Sequence, residues 1–260
     1  MLTKIPVIAL FFFTVFGFSQ STKLVFVDSV QIEADRYFGK DIFGYDYYSK
    51  NNVLYKHKKS EKWEYRDVFL GRIHSVDLIN PLKILVFYKD NNFAVLLDNQ
   101  LSEIEAFSFS ESNVVAQTCT VASQNRFWIY DGLSGKLVLL DYFNAKKTPL
   151  NQPFDHDFLY YKSDYNFWYG ISQEWKIYRY NNYGKMELFG EVPKFIKILM
   201  TDSGKIFFTS SGNLYLYEVH KNKTEYLFSF EEEIEEFDFK SGILTVFTGK
   251  TLKNYQLKLP

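Results

Sequence analysis

Lys83-Ile84-Leu85-Val86-Phe87-Tyr88-Lys89-Asp90-Asn91-Asn92-Phe93-Ala94-Val95-Leu96-Leu97-Asp98 places two short apolar runs on either side of a polar, Asn-rich turn. Runs of five or six residues rich in β-branched and aromatic side chains, broken by Asp and Asn, predict an antiparallel hairpin. Working outward, residues 73–79 supply a strand before this hairpin and residues 104–109 one after it, which makes a unit of four strands. The same texture runs through the chain, in Arg126-Phe127-Trp128-Ile129-Tyr130, Lys205-Ile206-Phe207-Phe208-Thr209 and Asn213-Leu214-Tyr215-Leu216-Tyr217. Turn signals such as Gly132-Leu133-Ser134-Gly135, Asn181-Asn182-Tyr183-Gly184 and Ser210-Ser211-Gly212-Asn213 separate them. No stretch shows a sustained 3.6-residue period, so very little helix is expected.

The second strands of successive units are centred on Tyr47, Phe87, Trp128, Trp168, Phe207 and Phe247, spaced by 40, 41, 40, 39 and 40 residues. One four-stranded sheet cannot bury both of its faces alone, and a period near 40 is that of propeller blades stacked around an axis. The sixth unit stops early: residues 234–239, 243–248 and 252–257 provide three strands and no fourth. An extra strand, residues 23–32, precedes the first unit. The expected fold is therefore all-β, a six-bladed propeller of four-stranded antiparallel blades, with the N-terminal strand filling the outer place of the last blade and closing the ring. A β-sandwich or two smaller β domains is the alternative.

Met1-Leu2-Thr3-Lys4, then an apolar run over residues 5–18 and Ser19-Gln20, has the three-part layout of a secretory leader. The run falls short of the about 18 to 20 residues that span a bilayer, and Pro6 interrupts it, which argues against a permanent anchor. Cleavage is expected between Ser19 and Gln20, leaving residues 20–260 as a single domain without stable membrane insertion. No cysteine stands at the cleavage site, so a lipid anchor there is not expected, and the lone Cys119 has no partner for an internal disulfide. The expected location is the periplasm or the extracellular space. Losing Lys4 with the leader leaves 29 basic against 31 acidic side chains. A balance so even gives no reason to expect a nucleic-acid partner. A monomer is expected.

The segments Asn51-Asn52-Val53-Leu54-Tyr55-Lys56, Leu70-Gly71-Arg72-Ile73-His74-Ser75-Val76-Asp77 and Val95-Leu96-Leu97-Asp98-Asn99-Gln100-Leu101, with Phe18-Ser19-Gln20, resemble a family of secreted, uncharacterised propeller-like proteins of flavobacteria and related Bacteroidota. The resemblance is densest over residues 51–104. It implies a Gram-negative envelope location and carries no activity. Asp131-Gly132-Leu133-Ser134-Gly135-Lys136 is similar to the tight turn of quinoprotein-type repeats, but in one copy only.

In a propeller, the loops from outer strand to next inner strand share one face with the loops from second to third strand, and ligand sites commonly sit there. That face is expected to gather Arg72, His74, Asp90, Asp131, Asp155, His156, Asp157 and Glu174, together with the acidic run Glu231-Glu232-Glu233. Asp155-His156-Asp157 combines metal-ligand chemistries, yet adjacent strand residues point to opposite faces and would not converge on one ion. His57, His74, His156 and His220 fall in separate units without paired spacing, so no metal is expected. Phosphate-binding loops, nucleophile elbows and Cys-x-x-Cys pairs are missing too, so no cofactor is expected. Cys119 reads as a packed hydrophobe. The aromatic segment over residues 160–183 serves either blade packing or a sugar or peptide platform. The leading expectation is a non-enzymatic binding or scaffolding module for a protein or envelope polymer. The alternative is a carbohydrate-active or lactonase-type enzyme acting through acidic residues at the channel mouth.

Overall fold

The structure, a computed structural model, describes residues 23–154, 157–201 and 204–258. The expected leader and cleavage point, and also Asp155 and His156, lie outside the described residues. The described chain forms six four-stranded antiparallel sheets, named here blades I to VI in the order of their inner strands. Those inner strands are Arg36–Lys40, Ser75–Asp77, Ala116–Ala122, Phe158–Ser163, Lys197–Met200 and Glu236–Lys240. Helix is confined, among the described residues, to two 3-10 turns, Phe109–Ser112 and Val219–Lys221. This is the six-bladed propeller expected from the repeat.

The second strand of blade II shows why the sequence needs a ring. All five residues of Ile84–Tyr88 are buried. Alternate side chains of a strand point to opposite faces. Accordingly Leu85 and Phe87 pack with Cys119, Phe127 and Ile129 of blade III, while Ile84, Val86 and Tyr88 pack with Tyr47 and Leu54 of blade I. Each middle strand thus needs a neighbour on both sides. The six residues that mark the repeat, Tyr47, Phe87, Trp128, Trp168, Phe207 and Phe247, all have no measurable exposure.

Blade VI is completed by the N-terminal strand. Lys23–Gln31 runs antiparallel to Thr251–Lys258, from Lys23 opposite Lys258 to Gln31 opposite Thr251, with a bulge between Phe26 and Asp28. The junction beyond it follows the rule of the other blades. After each of four outer strands, an amide donates to a carbonyl in the turn between second and third strands: Phe109 to Asn92, Phe154 to Gly135, Val192 to Trp175 and Phe230 to Gly212. Ile32 donates to Lys250 in the same way, at 2.9 Å. The chain start therefore occupies an ordinary blade position.

Inner strands are joined across the seams by side chains. Arg36 Nη1 donates to the His74 carbonyl at the I–II seam, and Val121 N to Asp77 Oδ2 at 2.8 Å at II–III. Ser163 Oγ donates to Thr120 Oγ1 at 2.7 Å at III–IV, and Met200 N to the Tyr160 hydroxyl at 3.2 Å at IV–V. Lys40 N donates to Asp238 Oδ2 at 2.7 Å at VI–I. At V–VI, the charge of Lys197 offsets part of the burial cost of Glu236.

Candidate binding face

The loop of residues 66–74 carries the chain from blade I to blade II. Asp67 Oδ1 accepts the amides of Phe69 and Leu70, which tightens the loop into an Asx turn. Asn52, in the left-handed region at φ 60°, holds it from blade I: its Nδ2 donates to the Gly71 carbonyl and its Oδ1 accepts the Ile73 amide. From blade II, Asn91 Nδ2 donates to the Phe69 carbonyl at 2.8 Å. Two apolar side chains project from this fixed backbone into solvent, Val68 and Phe69, the latter 86% exposed. An apolar ring on a loop held at both sides loses little further entropy on meeting a partner.

The predicted mouth residues that are described differ in exposure. Arg72 and Asp90 are exposed. His74 is half-buried, with its ring edge-on to Phe87 at 5.6 Å. Burial lowers its pKa, aided by Lys89 and Arg36, so the imidazole is held neutral near pH 7. Asp157 and Glu174 are exposed, and Glu174 pairs with Lys176 at 2.7 Å. Asp131 stands apart. It is completely buried, its Oδ1 accepting the Val115 and Leu133 amides and its Oδ2 the Ser134 hydroxyl, with Lys147 Nζ 3.8 Å away. Its carboxylate folds the turn and presents nothing to a ligand.

Two carboxylates on inner strands do not stand out in the sequence. Asp77 and Asp238 have their pKa values raised by burial, an effect opposed by backbone N–H donors and by the charges of Lys162 and Lys240. Lysines from blades IV and VI thus act on carboxylates in blades II and VI. Among the described residues, no three His, Cys, Asp or Glu side chains gather to hold a metal ion. Cys119 is buried on its inner strand, and burial first, Asp77 second, pushes its thiol pKa well up, which suppresses the thiolate.

A second concavity, of about 370 Å³, lies between blades IV and V. Arg179 lines it, its guanidinium held between the rings of Phe167 and Phe189 at 4.7 and 4.8 Å and paired with Glu187. The rest of the aromatic segment packs: Trp168 is fully buried against Phe154, Phe158 and Tyr180.

Comparison with solved structures adds to this geometry. A streptogramin B lyase superposes with a TM-score of 0.58 over 91% of this chain and 97% of its own, at 11% identity. A member of the DUF4221 family from Bacteroides vulgatus gives 0.58 over 92% and 98%, at 8% identity. Virginiamycin B lyase from Staphylococcus aureus gives 0.56 over 84% and 79%, at 12% identity. The likeness is one of fold. No protein-family model and no curated protein matches the sequence. Among the described residues, no helix is long and apolar enough to cross a membrane.

Proposed function

We propose that this chain is an exported binding module that holds a partner protein of the cell envelope on the channel-mouth face, with Phe69 and Val68 as the anchor and Arg72, His74 and Asp90 around it. The observation that carries this reading is the exposure of Phe69 on a backbone fixed by Asn52, Asp67 and Asn91. Interface energy concentrates in a few aromatic and Arg anchors, and a rigid loop is the economical way to present one. Charge within the channel is spent on the seams, which suits a platform better than a reaction centre. Export follows the leader, with the mature chain beginning at Gln20 in the periplasm or beyond it.

A photo-crosslinking residue at position 69, introduced in the producing cell, tests the reading. It is expected to trap one discrete protein from the envelope fraction, and Phe69→Ala is expected to weaken that complex by about 2 kcal/mol, roughly 30-fold. A chain recovered uncrosslinked after gentle extraction sinks the proposal. The mass of the recovered chain reads out the cleavage point in the same experiment.

A further inference from the structure

The face opposite the mouth collects the loops from first to second strands and from third to fourth strands, and it differs in character. Blades I to IV each place large apolar side chains at the tips of these turns. Ile42 and Phe43 come from blade I, Leu82 from blade II, Phe143 from blade III and Tyr183 from blade IV, with Phe143 68% and Tyr183 94% exposed. Every tip has a lysine within reach along the chain or across the turn. Lys58 Nζ donates to the Phe43 carbonyl, Lys83 follows Leu82, Lys146 follows Phe143 by three residues, and Lys185 follows Tyr183 by two.

The acids of this face keep their charge but are drawn onto the amides of its own turns. Asp41 is buried and accepts the Phe43 and Tyr45 amides and the Tyr47 hydroxyl. Asp98, Asp141 and Asp164 each accept two turn amides on Oδ1. On the mouth face, by contrast, residues 231–235 alone bring four glutamates. On the face opposite the mouth Lys59, Lys146 and Lys185 are exposed while Asp41 is buried and Asp98, Asp141 and Asp164 are half-buried, so the charge presented at its tips is basic.

We infer that the face opposite the channel mouth docks on an anionic lipid bilayer, the apolar tips entering the interfacial layer and the lysines meeting lipid phosphates. Charge complementarity selects this occupant over a protein. The buried centre of a protein interface is a contiguous patch depleted in Lys. Here single apolar side chains stand apart on separate turns with lysines between them, an arrangement that a fluid interface accommodates and a shaped surface does not. A cleft of about 180 Å³ between blades II and III, lined by Asn80, Lys83, Ser123, Asn125, Tyr142 and Tyr165, opens among these turns and offers a seat for one head group.

Co-sedimentation with vesicles tests the inference, using phosphatidylcholine alone and phosphatidylcholine mixed equally with phosphatidylglycerol, every variant having the same amino terminus. Wild type is expected on the phosphatidylglycerol vesicles, with affinity falling as salt rises. Lys59→Glu, at the exposed turn between the third and fourth strands of blade I, with Lys146→Glu and Lys185→Glu, is expected to reduce binding on the order of 100-fold or more, at about 1 kcal/mol per lysine. Phe43→Ser, Phe143→Ser and Tyr183→Ser together are expected to reduce it about tenfold or more. Leu133→Ser, an exposed change on the mouth face, is expected to bind as wild type does and serves as the control for folding. Equal binding to both vesicle types, or triple variants that bind like wild type, overturns the inference. So does retention on a soluble acidic polymer without binding to vesicles, which assigns the face to a polyanion. Loss of vesicle binding leaves capture at position 69 intact, so the two faces fail separately.

Discussion

Blade II and blade VI are the same four-stranded sheet reached by opposite routes. In blade II the strands Ser75–Asp77, Ile84–Tyr88, Phe93–Leu97 and Glu103–Ser108 follow one another without a break. In blade VI the outer strand comes from the other end of the chain, and Asn254 Nδ2 reaches Asp28 Oδ1 across 226 residues. Both blades bury a phenylalanine completely on the second strand, Phe87 and Phe247, and both offer a seam carboxylate, Asp77 and Asp238. The packing is alike while the chain entropy lost on assembly is not. Sequence separation thus governs when a blade forms more than how tightly it holds once formed.

The hardest test of that statement removes residues 1–31. Losing the Lys23–Gln31 ladder leaves the edge of Thr251–Lys258 unpaired, and a loss of about 5 kcal/mol or more is expected at about 1 kcal/mol per hydrogen bond. A broad, non-cooperative thermal melt by circular dichroism is the expected readout. An unchanged, sharp melt breaks the comparison. Next come Phe87→Ala and Phe247→Ala, each expected to cost about 3 to 5 kcal/mol in denaturant melts. Equal losses support the equivalence of the two blades. A much smaller loss at Phe247 means that blade VI is already frayed in the native state.

Asn92 provides a middle-sized test. Its Nδ2 donates to the Val114 carbonyl at 2.6 Å and its Oδ1 accepts the Ala116 amide at 2.8 Å, the same two-pronged clasp that Asn52 makes on Gly71 and Ile73. Blade VI has glycine, Gly249, in the corresponding turn. Asn92→Ala is expected to cost about 2 kcal/mol, through the lost bonds and the left-handed backbone. The smallest effect concerns pH. A carboxyl whose pKa is raised in the folded chain makes the native state hold more protons than the unfolded one. Stability from Asp77 and Asp238 therefore falls as pH climbs from the ordinary carboxylate range through the raised values, and levels off above them. Asp77→Asn or Asp238→Asn keeps an oxygen for the neighbouring amide and is expected to flatten that slope, by up to about 1.4 kcal/mol per pH unit per proton, in urea melts across the range. A slope left unchanged by both substitutions removes the seam carboxyls from the account.

The ring itself was legible in the residues. Burial on both faces forces continuous apolar second strands, which is why Ile84–Tyr88 and its counterparts stand out at a fixed period, and the missing fourth strand at the end matched the surplus one at the start. The candidate site was harder to read. Asp131 sits at the expected turn, but its side chain folds inward to accept two donors of that turn and the Val115 amide of the incoming loop. Asp77 and Asp238 lie in short inner strands, where nothing local distinguishes a seam acceptor from a solvated acid. Phe69 gained its meaning only from Asn52 and Asn91, which lie 17 and 22 residues away. An exposed aromatic is ordinary until the backbone beneath it is known to be fixed.

The stitches between inner strands have one more consequence. An arginine to a carbonyl, hydroxyl to hydroxyl and an amide to a phenol are mutually unlike, and only the amide-to-carboxylate stitch is used twice, at II–III and VI–I, so a blade facing most wrong neighbours finds no answering group. Skipping a unit, or borrowing one from a second molecule, would strand a polar atom at the hub. Repeated architecture invites such errors of counting, and stitches that change in kind from joint to joint work against most of them.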